Sequence, residues 1–98
     1  AAMTRPSATS EVLVDDERVR VTRWDFAPGA ETGWHRHDMD YVVTPVTDCH
    51  FLLEEPGGEA RRVEMPAGAA YRRPAGVEHN VVNGGDAPMS FVEVELKS

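Results

Sequence analysis

The fold of this chain is decided by a short stretch, which reads Gly29-Ala30-Glu31-Thr32-Gly33-Trp34-His35-Arg36-His37. In an extended strand, side chains two residues apart lie on the same face, so His35 and His37 point together. Neutral imidazole nitrogens bind a divalent metal at about 2.0–2.1 Å, and a third ligand can come from another strand. His79, in a second motif further along the chain, is the candidate for that third ligand.

The second motif has its own regular punctuation. It reads Gly68, five residues, Pro74, one residue, Gly76, two residues, His79, three residues and Asn83. Glycines at strand ends supply positive φ, and a proline stiffens the approach to the histidine by fixing one backbone dihedral. Taken alone, these are turn residues. Their predicted contribution to function is to place the third histidine opposite the first two.

Together, the two motifs resemble those of the cupin superfamily. The second matches at every position, whereas the first matches at its glycine and histidines but has Tyr41 and Val42 where the family pattern places a glutamate. The resemblance implies a small single-domain β-barrel, or jelly roll, that holds one divalent metal ion through His35, His37 and His79. The runs 28–37 and 73–80 are also similar to small bacterial cupins associated with β-alanine breakdown.

The remainder of the chain alternates strand-like runs with turn residues. Because no stretch free of glycine and proline keeps a 3.6-residue period, we expect an all-β sandwich or barrel without a helix. Residues 1–10 are predicted to form a flexible N-terminal arm, and residues 11–98 the cupin β-barrel domain. The apolar parity changes between Val21 and Trp24, which predicts a β-bulge near Thr22 and Arg23.

Charge and composition exclude several classes of partner. The formal net charge is −7, from seventeen acidic and ten basic residues, so nucleic acid and anionic membrane surfaces would be repelled. We expect neither a membrane span nor a signal peptide, because apolar runs are short.

Cys49 is the only cysteine; it is expected to be an inert, partly buried thiol in a cytoplasmic protein. A chain of this size buries a modest core, which favours a homodimer.

The residues after His37 leave two interpretations open. If the strand runs straight, Met39 and Tyr41 share the face of the histidines and Asp40 faces outward. If residues 38–40 turn, Asp40 could supply a fourth ligand. Tyr41 is interpreted either as a hydroxyl that positions a substrate or as a core aromatic side chain.

Other polar residues receive an interpretation from their position. Arg72 and Arg73 alternate across a strand, so only one faces the cavity. The arginine that faces the cavity could hold a substrate carboxylate in a bidentate fork, and Arg73 is the candidate. The alternative is an arginine on the outer face. His50 has no spacing relation to the other histidines and is predicted to lie at the surface or an interface. Asn83 is predicted to form a turn.

Ligand count then suggests the chemistry. Three neutral histidines leave the metal its full charge and open positions, which makes it a strong Lewis acid. Within the cupins this resembles the all-histidine iron dioxygenases that oxidise thiols and diketones. The first hypothesis is therefore a metal-dependent, oxygenase-like enzyme acting on a small, anionic organic acid or thiol, with Fe(II) favoured and zinc, nickel or manganese as alternatives. The other hypotheses are a non-catalytic module that binds a carboxylate or sugar through the metal, and a metal-dependent isomerase or lyase.

Overall fold

The structure is a computed structural model that describes residues 4–97, and in that range it contains nine β-strands and no helix. In chain order the strands are β1 (Thr9–Asp15), β2 (Val19–Phe26), β3 (His35–Arg36), β4 (Asp40–Pro45), β5 (Cys49–Glu54), β6 (Ala60–Met65), β7 (Tyr71–Arg73), β8 (Glu78–Asn83) and β9 (Met89–Leu96). The all-β architecture predicted from the sequence is confirmed.

The strands form two antiparallel sheets that face each other. The first has the order β1-β2-β9-β4-β7, and the second has the order β3-β8-β5-β6. Aromatic side chains pack between the two sheets: the ring of Phe91 on β9 lies 5.6 Å from that of Phe51 on β5 in the other sheet, and 5.4 Å from that of Phe26 on the neighbouring strand β2. These side chains are part of the buried core between the sheets.

The two sequence motifs lie side by side in this fold. Residues 29–37 run antiparallel to β8, with hydrogen bonds from Gly29 N–H to the Asn83 carbonyl (3.0 Å) and from Thr32 N–H to the Val81 carbonyl (2.9 Å). Further along, His35 pairs with His79. Between Thr32 and His35 the pairing with β8 shifts by one residue. The shift occurs at Gly33, whose φ of 88° lies in the left-handed region that glycine adopts readily.

The turn at Pro74–Gly76 closes the far end of this ladder. The Gly76 N–H donates to the His37 carbonyl at 2.7 Å, and the His37 N–H donates to the Val77 carbonyl at 2.8 Å. As expected, Gly29, Gly68 and Gly76 all have positive φ, of 78°, 84° and 96°. The motif glycines and the proline thus place His37 next to the start of β8.

Asn83 closes the other end of the ladder. Its side-chain amide donates to the carbonyls of Phe26, Ala27 and Ala87, at 3.3, 3.4 and 2.8 Å, and its side-chain oxygen accepts from the Gly85 N–H at 3.0 Å. With only 2% of its surface exposed, Asn83 is a buried turn residue rather than a ligand.

Two local expectations need adjustment. Residues 1–3, part of the predicted arm, lie outside the described range, but Ala8 donates to the Glu31 carbonyl at 2.8 Å and Glu31 to the Pro6 carbonyl at 2.9 Å. The chain is therefore hydrogen-bonded to the barrel before residue 11. The β-bulge lies on β1 rather than on β2: Val12 pairs with Thr22 and Val14 with Val21, which leaves Leu13 as the extra residue.

Candidate metal centre

Three imidazole rings converge between the two sheets. The Nε2 atom of His37 lies 3.0 Å from that of His35 and 3.1 Å from that of His79. His35 comes from β3 and His79 from its partner β8, so backbone pairing sets their distance. His37 follows β3 and is held by its two hydrogen bonds to the Gly76–Val77 backbone. The structure therefore brings together the three histidines that the sequence singles out.

The spacing of the three nitrogens fits a shared metal ion. Two nitrogen ligands at about 2.1 Å from an ion are about 3.0 Å apart when they subtend 90°, and about 3.4 Å apart in a tetrahedral site. The separations of 3.0 and 3.1 Å match the first case. Three ligands leave further positions of a six-coordinate ion open to solvent or substrate.

Hydrogen bonding fixes the orientation of the first ligand. The Nδ1–H of His35 donates to the Gly33 carbonyl at 2.9 Å, so in the neutral ring the lone pair is on Nε2, the atom that faces the other two rings. The Thr32 hydroxyl lies 3.3 Å from the same Nδ1. The bulge at Gly33 therefore orients the ring as well as the backbone.

Burial keeps the other two rings neutral. It is the main cause that lowers the pKa of His37 from 6.5 to about 4, with smaller contributions from His35 and Arg73. Burial and the neighbouring His35 and His37 lower the pKa of His79 to about 3. Neutral imidazole is the form that binds a metal ion, so both rings are prepared for ligation at neutral pH.

The chain bends immediately after His37. Asp38 and Met39 form the bend, and β4 begins at Asp40 in the other sheet, so a straight strand through residues 38–40 was the wrong interpretation. Asp40 nevertheless faces outward: its carboxylate accepts hydrogen bonds from Arg72 at 2.9 Å and from the Ala75 N–H at 2.8 Å. Among the described residues, the three histidines form the only group of three or more side chains placed to share a metal ion.

Tyr41 lies directly against the triad. Its ring stacks on that of His37 at a centroid distance of 3.8 Å, and only 1% of its surface is exposed. Its hydroxyl is buried without a hydrogen-bond partner among residues 4–97. Burial raises the pKa of Tyr41 well above its usual value. Tyr41 is thus a core aromatic side chain that also presents an unsatisfied hydroxyl near the centre.

The two neighbouring arginines face opposite sides of β7. Arg72 is exposed and pairs with Asp40, whereas Arg73 is partly buried and shares the inner face with its cross-strand partner Tyr41. Arg73 lines a cavity of about 530 Å³ together with Arg61, Tyr71 and three apolar side chains. Its charge helps to lower the pKa values of His37 and His79, which places it within electrostatic reach of the triad.

Comparison with known proteins places this architecture in a family. The model of the cupin domain family matches residues 22–95. The chain belongs to the cupin family. This cupin is 56% identical over 93 residues to the β-alanine degradation protein BauB of Pseudomonas aeruginosa, a match that covers 95% of this chain and 97% of that protein.

Solved structures support the same assignment. A cupin domain from Bordetella pertussis is 52% identical, with a TM-score of 0.94 and coverage of 99% of this chain and 100% of that one. The polyketide cyclase RemF of Streptomyces resistomycificus superimposes with a TM-score of 0.73, and the alignment covers 98% of this cupin and 71% of RemF. At 23% identity, that second likeness shows the fold alone.

Residues outside the triad conform to their predicted roles. His50 is exposed, and its Nδ1 lies 3.2 Å from a Glu64 carboxylate oxygen, as expected for a surface histidine. Cys49 is buried more fully than predicted, with 1% of its surface exposed, and burial raises the pKa of its thiol. Within residues 4–97 of this cupin, no helix is long and apolar enough to cross a membrane.

Sequence reasoning missed Asn80, whose side chain is hydrogen-bonded to the segment that precedes His35. Its side-chain oxygen accepts from the Gly33 N–H at 2.9 Å, and its amide donates to Glu31 at 2.7 Å and to Glu54 at 2.9 Å. Arg5 in turn donates to the Glu54 carboxylate at 2.8 and 3.1 Å. Asn80 directly follows the candidate ligand His79, so the alternation of a strand could have placed it on the opposite face of β8.

Sequence reasoning also missed Glu93 on β9. It lies on the inner face of its sheet with only 9% of its surface exposed. Burial, and then the charge of Glu95, raises the pKa of Glu93 to about 7. Both carboxyl groups line a cavity of about 280 Å³ whose other walls include His35, His37 and Trp24. The parity set by Met89 and Phe91 could have revealed this inward position.

Replacing His79 with alanine should abolish stoichiometric metal binding, because two of three ligands remain. His50→Ala is the matched control, since it removes the histidine outside the triad. The measurement is elemental analysis by mass spectrometry after reconstitution with Fe(II) or zinc and removal of loosely bound ions. We expect about one ion per chain in wild type and His50→Ala. Equal metal content in His79→Ala would remove His79 from the site.

Proposed function

We propose that this cupin is a divalent-metal-dependent enzyme with oxygenase-like activity on a small organic acid or thiol. The observation that supports the proposal is the set of three imidazoles with no carboxylate among them. Fe(II) is the proposed working metal, and zinc, nickel and manganese are the alternatives that a nitrogen ligand set also binds. When bound, such an ion supplies Lewis-acid chemistry and, in the case of iron, redox chemistry.

The protein side chains then bind and orient the substrate. Arg73 has no ion-pair partner in the described part of the chain, in contrast to Arg72 beside it. It is the proposed anchor for a substrate carboxylate, because a guanidinium matches a carboxylate in both charge and shape. The Tyr41 hydroxyl, buried against His37 without a partner, is the proposed hydrogen-bonding group that orients the substrate.

The biological setting is inferred from the similarity to BauB. BauB carries β-alanine degradation in its name, and at 56% identity we place this cupin in the breakdown of β-alanine or of a related small acid. A cytoplasmic location is part of the same proposal. The buried, reduced thiol of Cys49 is compatible with that compartment.

Oxygen consumption tests the oxygenase reaction. Iron-loaded protein should consume dissolved oxygen when supplied with at least one member of a panel of small thiols, diketones and organic acids, and zinc-loaded protein should not. An oxygen electrode measures the rate, and mass spectrometry measures the product. If iron binds stoichiometrically but no compound is oxidised, the oxygenase proposal fails. Ligand-dependent thermal stabilisation of the metal-loaded protein alone would then favour a non-catalytic binding module.

Single substitutions test the two proposed substrate-binding residues. Arg73→Ala should raise KM for an anionic substrate roughly tenfold or more, since it removes a charge-assisted bond. Tyr41→Phe keeps the stacked ring and should lower kcat/KM roughly tenfold through loss of one hydrogen bond. Metal content should not change in either variant. Arg72→Ala is the matched control and should retain wild-type kinetics; equal effects of Arg72→Ala and Arg73→Ala would refute the anchor.

The outer face of the first sheet supports a homodimer. Paired residues share a face, so Val14, Val21, Val94 and Val42 form one apolar row across β1, β2, β9 and β4. Every residue of the edge strand β1 is exposed, including Leu13 at 48% and Val14 at 45%. An exposed apolar edge is a liability unless another chain covers it. A second copy provides the same apolar row and suits a two-fold interface.

Light scattering during gel filtration tests this interface. Wild-type protein should elute with twice the mass of the chain, and Val14→Glu should shift it toward the monomer because the charge would be buried. Val46→Glu is the matched control: Val46 is also 45% exposed but lies outside the row, so the dimer should persist. A monomeric wild type would contradict the interface.

A further inference from the structure

The cavity beside the triad has an acidic wall. Glu93 and Glu95 project from the same face of β9, about 7 Å apart along the strand, and both line the cavity that His35 and His37 also line. Within residues 4–97, the Glu93 carboxyl has neither an ion-pair nor a hydrogen-bond partner, although only 9% of its surface is exposed. A buried carboxylate without a partner is costly, so this group needs an explanation.

Other polar groups near this wall also lack partners. Trp24 lines the same cavity, and its indole N–H is buried without an acceptor among the described residues. The Tyr41 hydroxyl is buried without a partner as well, and Tyr41 pairs across the strands with Glu95. These two polar atoms are buried, but the Trp24 side chain itself lines the cavity beside the two carboxyl groups.

The basic residues of the cavity do not neutralise this wall. Arg20, which pairs across the strands with Glu95, forms its ion pair with Asp15 at 3.3 Å. Arg36 is exposed, with its guanidinium beside Gly76, and Asp38 adds another acidic group at the rim. The inner part of the cavity therefore offers two carboxyl groups and an aromatic ring, which together recognise a cation.

We propose that the wall formed by Trp24, Glu93 and Glu95 is a subsite for the protonated amine of a small substrate. An ammonium group between the two carboxyl groups can donate to both, and the Trp24 ring adds a cation–π contact. His35 and His37 line the same cavity, so the carboxylate end of such a substrate would lie toward the triad and Arg73, the carboxylate anchor proposed above. The ligand class is thus a small amino acid with its carboxylate and ammonium groups at opposite ends. This inference rests on the proposed function, because it names the substrate class of that same site.

Equilibrium binding to the zinc-loaded protein tests the subsite without turnover. Isothermal titration calorimetry compares ω-amino acids of two, three and four carbons with unsubstituted carboxylic acids of the same length. At least one amino acid should bind roughly tenfold more tightly than its carboxylic acid, the effect of one charge-assisted contact. Glu93→Gln should remove that advantage and leave the affinity for the carboxylic acid within about twofold.

The controls separate this result from a general effect. Glu64→Gln removes an exposed carboxylate away from the cavity and should bind as wild type does. Thermal unfolding checks that Glu93→Gln is folded. Equal affinity of the amino acids and the carboxylic acids, no binding of either class, or equal weakening of both in Glu93→Gln would overturn the subsite. Because no oxidation is measured, the outcome is independent of the oxygen-consumption assay.

Discussion

The candidate metal centre depends on the backbone pairing between residues 29–37 and β8. This ladder sets His35 directly opposite His79, and the hydrogen bonds of Gly76 and Val77 to the His37 backbone bring the third ring to the same place. In a β ladder a shift of one residue turns every side chain to the other face. The register therefore determines whether three imidazoles meet at all, and Gly33 and Gly76 supply the backbone conformations that the register requires.

Side-chain contacts on the outer side of this ladder also stabilise it. Asn80 connects the Gly33 backbone to Glu31 and Glu54, and Arg5 pairs with the same two carboxylates. Every residue of β8 after Glu78 is therefore buried, although only one face of the strand looks into the barrel. Such supporting contacts limit the movement of metal ligands and tune their orientation. The N-terminal segment thus contributes to the centre without touching it.

The sequence predicted the parts of the site that depend on local spacing. The separation of His35 and His37 by two residues, and the glycines and proline before His79, led to the triad, and alternation led to the strands. It left open whether the chain runs straight or bends at Asp38–Met39, because a change of sheet is decided by tertiary packing. Nor did it identify Glu93, since an acidic residue in the last strand reads as a solvent-facing one until the inward parity of Met89 and Phe91 is followed through.

The central claim is that the three histidines ligate one ion together. X-ray absorption spectroscopy of the iron- or zinc-loaded protein measures this directly, because imidazole rings add a distinctive outer-shell scattering pattern. We expect three imidazole nitrogens at about 2.0–2.2 Å, with oxygen ligands completing the shell. A spectrum with no imidazole scattering, or with a single imidazole, would contradict the account.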